Sequence, residues 1–276
     1  MGIFTDNPVL EREVRGRLRL KRKNGVAANL WIARLIGAIA AYYYVRGMIG
    51  VWRGPLQDAR DLWPLLVYGA LVLIVLLSPA LSSTAITQER EQQTWEILAT
   101  TQLSAWEVLG GKWLGRQMIP WLLLVILLPF MVVAAARAEL GFLALPAVLL
   151  FLLLTIACYS ALGLVCSFQA KRTMTATASA LTISAFLCIG TVIINQVWVL
   201  LTYHGGNNAS ESMVMWANPF YAVNTLMMQL SPNTFGSNGS NAPASTLWYF
   251  LLTAAATVAA LAFMVRRYHR SVRERS

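Results

Sequence analysis

Histidine and cysteine are almost missing from this chain, with two and three residues respectively in 276. With only His204 and His269, and with no His-Glu-x-x-His or Cys-x-x-Cys spacing, metal-centred or histidine-based catalysis is poorly supplied. Enzymatic chemistry would have to rest on carboxylates. Cys158, Cys166 and Cys188 form an odd set inside apolar runs, without disulfide or zinc spacing, and read as small packing residues. A nucleotide-binding loop is lacking as well. Gly111-Lys112 has Trp106 where the first loop glycine belongs and Trp113 where Ser or Thr belongs. Charge is also scarce: 12% of residues are charged against 57% hydrophobic, which excludes a soluble globular domain of ordinary composition.

What the chain has instead is long apolar runs. A bilayer core of roughly 30 Å needs about 20 mostly apolar helical residues per crossing. About six such runs occur, near 27–49, 63–86, 113–136, 142–167, 174–203 and 247–265. The expectation is an all-α polytopic membrane protein, one transmembrane domain over 1–276. Its parts are an amphipathic interfacial helix (1–25), spans one and two (27–86), a charged segment (87–112), spans three to five (113–203), a loop (204–246), span six (247–265) and a basic tail (266–276). The first run is too long for a signal-peptide core and contains Arg34 and Arg46, so it is expected to stay as a span.

Lys and Arg favour the cytoplasmic side of a membrane. With the N-terminal side inside, seventeen of the 22 cations fall inside: seven from Arg12 to Lys23, then Arg90, Lys112, Arg116, Lys171 and Arg172, and five from Arg266 onward. Only Arg46, Arg53, Arg60 and Arg137 fall outside, with Arg34 in the first span. Both termini and the 87–112 segment are thus expected in the cytoplasm and the 204–246 loop outside. The net charge of +10 tracks this topology, so it gives no reason to expect nucleic acid as a partner.

The most informative stretch is Ile86 to Leu114, a charged segment between two membrane-length runs. Glu89, Arg90, Glu91, Glu96 and Glu107 would cost several kcal/mol in lipid unless they reach water or a partner. Ser104 and Glu107 have capping-box spacing, and Leu103 and Val108 sit at the positions of a hydrophobic staple, so a helix is expected to begin there.

This stretch resembles the type 2 exporter class of ATP-binding-cassette (ABC) transporter permeases. The matching positions are Thr87, Glu89, Arg90, Glu91, Thr94, Glu96, Ile97, Leu98, Gly111 and Lys112. Two departures are Gln93, where relatives commonly carry Gly, and Gln102, near a position often followed by Pro. The resemblance implies that 87–112 is a cytoplasmic coupling segment seated in a cleft of a separate ATPase subunit, with Glu89, Arg90, Glu91, Thr94, Trp95 and Glu96 as docking residues. Trp95 reads equally well as an interfacial anchor. The resemblance further implies a multi-pass protein of the bacterial plasma (inner) membrane, paired with an identical copy or a paralogue as a dimer. ATP and Mg2+ would be bound by the partner ATPase, leaving no cofactor in this chain.

Other features fit around that segment. Asn7-Pro8 starts a helix whose Leu10, Val14 and Leu18 face lipid while its arginines meet anionic headgroups, making membrane lipids a partner. In the second span, Pro79 lies among Ser78, Ser82, Ser83 and Thr84. The reading there is a kink whose freed carbonyls neighbouring hydroxyls can satisfy, serving as a lever or as a static packing site. Gly50 to Asp61 reads as an outside turn broken by Pro55, and Arg137 with Glu139 as an exposed pair. Ser82, Asn195 and Gln196 are candidates for a substrate pathway or dimer contact, because such groups in hydrocarbon need a partner or a wet path. Trp216 to Leu230, with an Asn218-Pro219 start, reads as an outer-side re-entrant or interfacial helix.

Two classes of function follow. The first is the transmembrane subunit of an ATP-driven exporter. The second is a polytopic membrane enzyme, or an assembly factor for one, that uses Glu89, Glu91 or Glu96.

Overall fold

A computed structural model describes residues 27–93, 105–202, 212–230 and 242–273, with the side chains of 27–37, 57–59, 105, 242–244 and 269–273 left undescribed. The N-terminal interfacial helix, Arg34's side chain and Thr94 to Ser104 therefore lie outside the described residues.

Every expected apolar run is helical over most of its described length. The elements are α1 (Ala27–Arg53), α2 (Leu56–Ser82), a five-residue α3 (Thr87–Glu91), α4 (Ala105–Arg137), α5 (Ala144–Gln169), α6 (Thr173–Ala185), a π turn (Phe186–Gly190), α7 (Thr191–Thr202), a 3-10 turn (Met213–Ala217), α8 (Pro219–Leu230) and α9 (Ala242–Arg273). Five helical stretches among the described residues are long and apolar enough to cross a membrane. The fourth joins α6, the π turn and α7. α1 is itself 27 residues long.

α4, at 33 residues, is the longest of the described helices. At 1.5 Å per residue it measures about 50 Å, well beyond a hydrocarbon core of roughly 30 Å. Its excess falls at the N-terminal end, where Glu107, Lys112 and Arg116 sit.

α5 is the central helix, with α2, α4, α6, α8 and α9 all packed against it. Its burial follows from composition, since it is apolar all round and carries no charge from Ala144 to Gln169. In lipid, packing and hydrogen bonds replace the hydrophobic effect as the glue between helices. Both are seen: Phe151 stacks on Tyr249 at 4.8 Å, and the Tyr249 hydroxyl lies 3.1 Å from Thr155 Oγ1. α5 closes tightly on α2 at Gly163, where a Cβ would lie 2.6 Å from the Pro79 carbonyl oxygen and 3.0 Å from Ser82 Cβ.

Two connections differ from expectation. The turn after α1 is confined to Gly54 and Pro55, with helix resuming at Leu56, because proline is well placed at a helix start. Arg137 does not pair with Glu139. It donates to the Gly54 carbonyl at 2.7 Å and lies over the Trp52 ring, while Glu139 occupies a left-handed turn at φ 56.

Candidate functional site

The last carbonyls of a helix have no intrahelical donor and carry partial negative charge, so cations belong there. At the end of α2, Arg116 of α4 donates to the Leu81 carbonyl at 3.3 Å and to Thr84 Oγ1 at 2.8 Å. One turn away, Lys112 donates to the Ala85 carbonyl at 3.3 Å. The chain then turns through 83–86 into α3. Ala85 and Ile86 are fully buried there in a small core with Leu109, Leu164, Phe168, Leu261, Met264 and Tyr268.

The first amides of α3 need acceptors as much as the last carbonyls of α2 need donors. No side chain of α3's own N-cap supplies one. Ser167 of α5 does: its Oγ accepts from Ile86 N at 2.9 Å and Thr87 N at 3.2 Å.

Each of the next four side chains reaches a different neighbour. Gln88 Oε1 accepts from Arg116 at 3.3 Å, and Glu89 forms an ion pair with Lys112 at 2.7 Å. Arg90 donates to the Ala170 carbonyl at 3.0 Å and lies 5.5 Å over the Phe168 ring. Glu91 Oε1 accepts from Thr173 N at 2.7 Å, capping α6 at its positive end. That amide bond, with the nearby Arg172 charge, holds the exposed Glu91 carboxyl below the usual glutamate range.

Three of the six residues expected to dock a partner, Glu89, Arg90 and Glu91, are therefore brought together as internal braces joining a short helix to α4, α5 and α6. Thr94, Trp95 and Glu96 lie outside the described residues. The helix expected from the Ser104–Glu107 spacing is present from Ala105, with Val108 and Leu109 buried; Ser104 itself is outside the described residues.

The other candidates separate. Ser82 is buried against Gly163. Asn195 is engaged locally, its Oδ1 accepting from both Ser212 N and Oγ at 2.9 Å. Gln196 is exposed on α7. Sequence reading did not single out Gln88, Arg116 or Ser167. Arg116 was detectable as a cation one turn beyond Lys112, whereas Ser167 carries no signal that marks it out.

Such a molecule, several apolar helices around a central one with a charged elbow braced at one end, is a multi-pass membrane protein. The chain matches the model of the ABC-2 family transporter protein over residues 12–271 and belongs to that family. It is an ABC transporter permease, a membrane domain without ATPase activity, of a kind that pairs with ABC ATPase subunits. The search of curated proteins returned no match. Between the two classes of function, the permease stands and the membrane enzyme does not.

Proposed function

We propose that this chain is the transmembrane subunit of an ATP-driven exporter of the bacterial plasma membrane, working as a dimer with two separate ATPase subunits. Residues 94–103 seat in a cleft of the ATPase, with Thr94, Trp95 and Glu96 as the contact. Glu89, Arg90 and Glu91 form the mount that holds this segment. Both termini and the elbow face the cytoplasm, in keeping with the seventeen-to-four distribution of cations.

The observation that carries this reading is the bracing of α3. A segment that receives force from a partner passes it on only if its base is stiff. Here a five-residue helix is tied to three neighbours through Gln88, Glu89, Arg90 and Glu91. ATP closing the ATPase subunits moves the docked segments, and the mount tilts α2 and α4 together, switching the dimer between inward- and outward-facing states. Spans almost free of acidic residues disfavour a metal cation as cargo and favour lipids, amphipathic compounds or peptides.

The test replaces Trp95 by Ala and Glu96 by Lys together, leaving the mount intact. The permease should keep its melting temperature but lose co-purification with its ATPase and the stimulation of hydrolysis. A double variant that retains both sinks the docking assignment.

A further inference from the structure

α2, one turn before Pro79, and the start of α8 are both bonded to the helical stretch that contains the π turn, α2 through Ser184 at the end of α6 and α8 through Cys188 and Thr191. Pro79 has no N–H, so the carbonyl of Val75, four residues earlier, loses its helical donor. Ser184, buried near the end of α6, fills the vacancy: its Oγ donates to Val75 O at 2.9 Å. The donor comes from another helix, not from the hydroxyls beside the proline.

Two residues after Ser184 the helix widens. Thr191 N–H bonds the Phe186 carbonyl five residues back, and Gly190 leaves room for the Phe186 ring, which would lie 2.7 Å from a Cβ there. Within this turn and just after it, Asn218 Nδ2 donates to the Cys188 carbonyl at 2.7 Å and lies 2.8 Å from Thr191 Oγ1. The Asn218 Oδ1 caps α8, accepting from Phe220 N at 2.8 Å and Tyr221 N at 3.3 Å. Asn218 is buried, and all its polar atoms are used.

We propose that Ser184 and Asn218 are positioning residues that make the π turn a relay, so that movement of α2 at Pro79 repositions α8. The inference extends the docking reading above and rests on it for the source of the movement. A π turn holds one residue more than an α-helical turn, and such turns recur at functional sites. Sliding the surplus residue along the chain exchanges carbonyl partners. With Val75 O held two residues before the turn and Cys188 O held within it, such a slide releases one clamp or the other, giving two discrete arrangements rather than a continuous bend. Ser184 is the link to α2 at Pro79, Asn218 the link to α8.

The test measures hydrogen exchange in the permease purified with its ATPase subunits, nucleotide-free and trapped with ATP and vanadate. In the wild type, peptides covering 83–93 and 219–230 should both change their exchange rate on trapping, by roughly fivefold or more, the low end of allosteric coupling. In Ser184→Ala the elbow peptide should still respond while the α8 peptide falls silent, and Ser184→Thr, which keeps the hydroxyl, should restore the α8 response. Should Ser184→Ala fail to fold, the Pro79→Ala/Ser184→Ala double variant takes its place. There residue 79 regains its N–H for Val75 O, so the fold is kept while the link to α6 stays broken.

A role in packing alone would lower the melting temperature of Ser184→Ala but leave both responses. An α8 response that persists in either variant, or that is absent in a wild type whose elbow responds, overturns the relay. An elbow that is silent in the wild type overturns the docking reading and takes the relay with it.

Discussion

Lys112 Nζ lies 2.7 Å from Glu89 Oε1, with the lysine side chain 1% exposed and the glutamate 19%. The ammonium also meets the Ala85 carbonyl, so a single buried cation joins the start of α4 to the end of α2 and to α3. Removing one partner of such a pair leaves the other charge uncompensated, at a cost of about 3–5 kcal/mol for a buried pair. Lys112→Ala is expected to lose stability on this scale. Glu89→Gln should cost less, because the glutamate reaches some water. The combined Lys112→Ala/Glu89→Gln variant should be more stable than the sum of the two losses predicts. Thermal melting of the purified permease measures all three, and additive effects would show that the pair does not act as a unit.

The contact at Gly163 makes a different kind of demand, one of space. A methyl group there would sit 2.6 Å from the Pro79 carbonyl oxygen and 2.9 Å from Pro79 Cα, both backbone atoms. Neither can rotate away, so α5 and α2 must separate. Gly163→Ala is expected to cost about 1–3 kcal/mol as overpacking, read as a lowered melting temperature. Gly69, with open space around it, is the control: Gly69→Ala should be neutral or slightly stabilising through helix propensity.

How much of this the sequence discloses depends on the range of the interaction. Apolar runs and local start signals are carried by neighbouring residues, so the helices fall where expected, α8 begins at Asn218-Pro219, and α4 begins just after Ser104. The mount was only half legible. Its charged residues were visible because charge beside a membrane needs explaining, but their partners lie 23 to 82 residues away along the chain, where only tertiary geometry decides. Ser167 and Ser184 look like any other hydroxyl in an apolar run. Asn195 and Gln196, adjacent and alike in chemistry, point differently on a helix, so one clamps Ser212 and the other is exposed. Arg137 ends α4 while Glu139 lies beyond it in a left-handed turn, so no shared helix face brings the two side chains together.

Gln93 ends α3 in the left-handed region, at φ 57. Its amide reaches back to the Arg90 carbonyl at 3.2 Å, as a helix-terminating residue does. A side chain costs roughly 1–2 kcal/mol in this conformation, and glycine gives back about 0.4–1 kcal/mol through the entropy of the unfolded chain. Gln93→Gly should therefore stabilise the elbow by up to about 1.6 kcal/mol. Gln93→Val, β-branched, should destabilise it. Melting temperatures that fall for both would show that the Gln93 side chain makes a contact outweighing the strain.

Glu91 offers a pH test of the mount. Its carboxylate is held below the usual glutamate value, about 4.3, chiefly by the Thr173 amide and then by the Arg172 charge. A depressed folded-state value means that the stabilisation is present above the unfolded value and fades as pH falls through the folded one. The bond to α6 should thus be intact at neutral pH, persist through the range in which ordinary glutamates protonate, and fail only below it. Exchange of the amides at the start of α6, corrected for the intrinsic effect of pH, should show this late loss. Glu91→Gln should weaken protection at neutral pH and abolish the acid step, because an amide oxygen still accepts from Thr173 N but carries no charge to attract the helix end. An unchanged acid step in Glu91→Gln would assign the titration to another group and detach α6 from the elbow.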